Sequence, residues 1–150
     1  MLTKTEFSLK LDEDLEDLRG IKGRCFSDEE YQKRWHKVTT NLEDTKLDSL
    51  IIYGAERAGS AIPWLTGWPV SAEALLIISL DSEAKLFVQY YNHTPQAKST
   101  AYGASVSWGG PNTAQTMLNH LYQIKARKVG LIGKMSFEMM TSITAVSYTH

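Results

Sequence analysis

Two short, nearly continuous apolar runs constrain this chain most: Leu50-Ile51-Ile52-Tyr53 and Ala74-Leu75-Leu76-Ile77-Ile78-Ser79-Leu80. Each is too short for a helix core and far below the roughly 18 apolar residues that would cross a membrane. Neither alternates as a strand with one wet face would. Both read as strands buried on two sides, which requires cover above and below the sheet. Helical patterns surround them, so the expected architecture is a single three-layer α/β/α domain with a mixed, mostly parallel sheet. The 150 residues suit one domain.

The clearest helix starts at Ser27. Ser27 and Glu30 form a capping box, and Tyr31, Trp35, Val38 and Leu42 follow as one apolar stripe. The helix is expected over residues 27–44, with Lys33, Arg34 and Lys37 on its solvated face. Before it, residues 1–26 read as a charged, weakly patterned extension in which Leu11, Leu15 and Leu18 mark a short helix. The first strand should end at Gly54. Asp81-Ser82-Glu83 turns the second into a third, Lys85–Tyr90, giving an antiparallel hairpin. A helix over Pro95–Ala101, a strand over Ser105–Trp108, a helix capped by Thr113 and a strand over Lys128–Ile132 follow. Ser136 opens a last helix containing Phe137, Met140 and Ile143. No strand follows that helix, so the sequence reads as a domain cut before its natural close.

Charge and chemistry narrow the function. A formal net charge of -1 argues against nucleic acid as the partner, because phosphate binding needs a basic surface. The first residues have no apolar signal core, and the one cysteine, Cys25, has no internal partner, so a cytoplasmic protein is expected. His36, His93, His120 and His150 are scattered without ligand spacing. Gly130–Ser136 follows a strand but lacks the glycine spacing and hydroxyl of a phosphate loop. One stretch does ask for a function. Glu56, Arg57, Trp64 and Trp68 lie in a segment broken by Gly59, Pro63, Gly67 and Pro69. Loops at sheet ends gather binding residues, and Trp and Arg dominate hot spots. Arg57, Trp64 and Trp68 are therefore candidates for an interface or substrate-entrance lip; the plainer reading is that an indole and Leu65 plug the sheet's end.

Tyr31–Trp35, Leu47–Gly54 and Ile62–Trp68, with Leu65-Thr66-Gly67 the most specific piece, resemble the N-terminal domain of the creatinase, prolidase and aminopeptidase P family. Glu73–Leu76 and Leu86–Gln89 resemble that family's hairpin. The resemblance covers residues 27 to about 145 and implies a ribonuclease-H-like α/β/α domain of residues 27–150, standing before a pita-bread catalytic domain. It implies no catalytic or metal-binding residue and no cofactor in this chain. A divalent metal (manganese, zinc or cobalt) would belong to the missing catalytic domain. The implied role is to shape substrate access and oligomer contacts, with the chain's own catalytic domain and further copies as partners, and with neither membrane nor nucleic acid. The implied parent is a metal-dependent Xaa-Pro peptidase or related amidinohydrolase. The competing reading is a free-standing protein-interaction module with this fold and no catalytic partner.

Overall fold

The computed structural model describes residues 24–56 and 58–147, and the side chains of those up to residue 144. The helix expected around Leu11–Leu18 lies outside the described residues.

Ser27 caps the first helix as expected. Its hydroxyl accepts from the Glu30 amide at 3.3 Å, and α1 runs Asp28–Thr45. The three acids of its first turn, Asp28, Glu29 and Glu30, oppose the positive end of the helix dipole. Then come β1 (Ser49–Ala55), α2 (Ala61–Thr66), β2 (Glu73–Ser79), β3 (Lys85–Val88) and a 3-10 turn at Tyr91–His93. After these come α3 (Thr94–Thr100), β4 (Ser105–Trp108), α4 (Thr113–Gln123), β5 (Val129–Ile132) and α5 (Phe137–Ser147).

The five strands form one sheet in the order β4-β3-β2-β1-β5. β1 pairs antiparallel with β2, which pairs antiparallel with β3, whereas β1–β5 and β3–β4 are parallel. The expected mixed sheet is present, but its ladders divide evenly instead of being mostly parallel. The reason is that β2 sits at the centre and runs against all the others. The carboxyl ends of β1, β3, β4 and β5 consequently share one edge of the sheet with the start of β2.

Alternate side chains of the strands serve two cores. Leu50, Ile52, Leu76, Ile78, Leu86 and Val88 face α1, α2 and α3 through Leu42, Ile62, Leu65, Trp68 and Ala97. Ile51, Leu75, Ile77 and Phe87 face α4 and α5 through Met117, Leu118, Leu121, Met139 and Ile143. Leu50–Ile52 and Ala74–Ile78 are thus buried on both sides because helices cover both, while Leu80, at the end of the second run, is exposed.

Four details depart from the sequence reading. Gly54 lies inside β1, opposite Ala74, and does not end it; a side chain there would come within 3.0 Å of Ile62, so its absence lets α2 approach the sheet. Asn112, and not Thr113, caps α4: its Oδ1 accepts from the Gln115 amide at 3.0 Å. In α5 the inward pair is Met139 and Ile143, while Phe137 is 88% exposed, because Ser136 caps the helix in that phase by accepting from the Met139 amide. Arg34 is not on a solvated face. It is buried, whereas Lys33 and Lys37 are exposed as expected.

Asp48 ties the edge strand β5 to its neighbour β1. Its Oδ2 accepts from the backbone amides of Arg127 and Lys128 at 2.9 and 3.0 Å, fixing the approach of β5 to β1.

Candidate functional site

Pro63 and the apolar neighbours of Trp64 start α2 immediately after the loop that leaves β1. The helix is only six residues long, so propensity alone cannot hold it. Its last carbonyls are instead satisfied from outside, as a helix end requires. The Gly67 amide donates to Pro63 O at 2.8 Å, the Arg34 guanidinium to Trp64 O at 2.8 Å, the Trp35 indole to Leu65 O at 2.8 Å, and the Tyr102 amide to Thr66 O at 2.8 Å. Gly67 closes the helix at φ 77°, where a side chain would also meet the Tyr31 hydroxyl at 2.6 Å. That geometry accounts for Leu65-Thr66-Gly67 as one unit.

Arg34 is the centre of this corner. Its Nε donates to Glu30 Oε1 at 2.9 Å, one turn earlier on α1. Its guanidinium lies 4.1 Å from the centre of the Phe26 ring and 5.1 Å from that of Trp64. A cation beside the carbonyl end of α2 also opposes that helix's dipole. Arg24 adds a second layer, paired with Asp28 at 2.9 Å and 5.2 Å from the Tyr102 ring, which stacks on Tyr31.

The candidate residues fall in different environments. Trp64 is 43% exposed on this corner, with Phe26 beside it also exposed. Trp68 is 1% exposed and belongs to the first core with Ile62 and Leu65. It plugs the sheet's end, the plainer place the sequence offered one indole, so of the two candidate tryptophans Trp64 presents its indole to solvent and Trp68 does not. Arg57 lies outside the described residues. The loop around it is held by the amide of Glu56 donating to Ala72 O at 2.8 Å and by a bridge between Ala55 and Ala58. The sequence reading missed Arg34 and Phe26. The signal for Arg34 was available in Glu30-x-x-x-Arg34, the spacing of an ion pair along one helix face. Among the described residues, no three His, Cys, Asp or Glu side chains converge as a metal site would need, and no helix is long and apolar enough to cross a membrane.

These features define a class: a layered α/β domain carrying a rigidly capped aromatic corner. Residues 34–147 match the family model described as the creatinase/prolidase N-terminal domain, and the chain belongs to that family. Solved structures share its fold. An Xaa-Pro aminopeptidase structure from Streptococcus pyogenes superposes with a TM-score of 0.68 and 15% identity, over 81% of this chain and 88% of that one. An aminopeptidase P structure from Streptococcus thermophilus gives 0.65 and 18%, over 77% and 84%. An Xaa-Pro dipeptidase from Bacillus anthracis gives 0.63 and 10%, over 77% of this chain but 31% of that one, so the chain spans about a third of that protein. Comparison with curated proteins finds no match.

Proposed function

We propose that this chain is the non-catalytic N-terminal domain of a cytoplasmic Xaa-Pro peptidase or creatinase-like hydrolase, and that it shapes substrate access and oligomer contacts through the corner that carries Trp64. The observation that carries the reading is the exposure of a large indole on a helix whose carbonyl end is fully capped. A preorganised aromatic loses little entropy on binding, which is what a hot spot requires. Family membership supports the absence of chemistry in the domain itself. The solved relatives named as Xaa-Pro peptidases support the substrate class of the parent, and a divalent metal would then sit in the parent's catalytic domain.

Sedimentation of the whole chain tests the contact. The expected result is concentration-dependent self-association that Trp64→Ala weakens. Ile132→Lys, on the exposed end of β5, should leave it unchanged. Association that survives Trp64→Ala but is lost with Ile132→Lys would move the interface to the β5 edge and overturn the assignment.

A further inference from the structure

β3 and β4 are parallel neighbours, yet the chain leaves them toward opposite faces of the sheet. After β3 it passes to α3, whose Ala97 packs in the first core; after β4 it passes to α4, whose Met117 packs in the second. Connections that part in this way open a crevice at the strands' carboxyl ends, the place where open α/β sheets take ligands. A groove of about 510 Å3 lies there, between the segments that follow β3 and β4, the start of β2 and the first turns of α5.

Its lining has a definite chemistry. Tyr91 and Trp108 stand edge to face, with ring centres 5.8 Å apart and planes at 86°, and both are exposed to the groove's solvent. The Trp108 indole donates to Gln89 O at 3.0 Å, which fixes its plane. Glu73 and Glu138 supply two carboxylates, and no Lys, Arg or His is among the described residues that line the groove. Glu73 is itself held. Its amide donates to Gln89 Oε1 at 3.2 Å, and its Oε2 accepts from the Tyr53 hydroxyl at 3.1 Å. Burial and then the negative charge of Glu73 raise the Tyr53 phenol above its ordinary value, so Tyr53 remains a donor throughout the neutral range.

We propose that this crevice binds a small organic cation, a protonated amine or quaternary ammonium ion, whose charge is met by the Tyr91 and Trp108 rings and by the Glu73 and Glu138 carboxylates. Aromatic surfaces and carboxylates both favour a cation that is partly removed from water. The start of α4 also borders the groove and would favour an anion instead. Its cap is already filled by Asn112, and the two carboxylates oppose a negative ligand.

Nuclear magnetic resonance of the full nitrogen-15-labelled chain, read at the Trp108 indole, tests this with four probes: choline, ethanolamine, the neutral tert-butyl analogue of choline, and sodium acetate. Choline or ethanolamine should shift the signal saturably, and which of them binds tighter separates a quaternary from a primary ammonium. The neutral analogue and acetate should not. Glu73→Gln keeps an acceptor for Tyr53 and should weaken the cation's binding about threefold to fivefold, the loss of one partly exposed ion pair. Tyr91→Leu, at an exposed position, should weaken it as well. No saturable shift with either cation, an equal response to the neutral analogue, a response to acetate alone, or binding indifferent to both variants would overturn the proposal.

Discussion

Arg34 and the two indoles show how single residues decide what this surface can do. Truncating Trp68 empties a site in the first core and should cost about 3–5 kcal/mol, as for other buried large aromatics. Trp64→Ala removes an exposed ring and should change stability by less than about 1 kcal/mol. Urea midpoints of the two variants check this, and acrylamide should quench the Trp64 indole well before that of Trp68. Equal losses would mean that both indoles are structural. Arg34→Met leaves the Trp64 carbonyl and the Glu30 carboxylate without their donor, so a loss of about 1–3 kcal/mol is expected. Arg34→Lys should recover only part of it, because an ammonium cannot hold both acceptors in the guanidinium's fixed fork geometry. Full recovery with lysine, in the same urea titration, would reduce Arg34 to a point charge.

At the level of elements, what the sequence displays is what local pattern controls. Ser27 with Glu30 announces α1, and the runs at Leu50–Tyr53 and Ala74–Leu80 announce strands that helices must cover on both sides, although Leu80 lies past β2 and is exposed. The direction of β2 relative to the sheet as a whole depends on pairings that no local pattern encodes. Arg34 escaped for the same reason: what buries it is a carbonyl thirty residues later, on α2. Half the candidate site was legible, since exposed and buried tryptophans look alike until the helix phase of Ala61–Thr66 is known. The crevice beside Trp108 was not legible at all, because it arises from loops that follow two different strands.

α4 carries the element whose stability should depend on pH. His120 lies edge-on to Phe87, with ring centres 5.6 Å apart, and its Nε2 is buried without a partner. Burial, and then the nearby Lys85 charge, lower its folded value from 6.5. A lowered value means that the unfolded chain binds the proton more readily. This contribution is therefore complete above about pH 6.5 and is lost as pH falls toward the folded value. Between about pH 7 and about pH 5, the urea midpoint of the native chain should fall further than that of His120→Gln. Parallel losses in the two proteins would remove His120 from the pH response.

For the whole molecule, the sheet is covered on both faces and carries a capped aromatic corner, and the proposed division of labour gives that corner to contact and leaves chemistry to another domain. β1, β2 and β3 divide their apolar side chains between two cores, and Arg34 holds the carbonyl end of α2 through Trp64 O. The most direct measurement is hydrolysis by the purified chain of an Xaa-Pro dipeptide and of creatine, with manganese, zinc or cobalt added in turn. Turnover should not exceed that of the metal alone. Turnover that co-purifies with the chain and disappears in a single point variant would contradict the account.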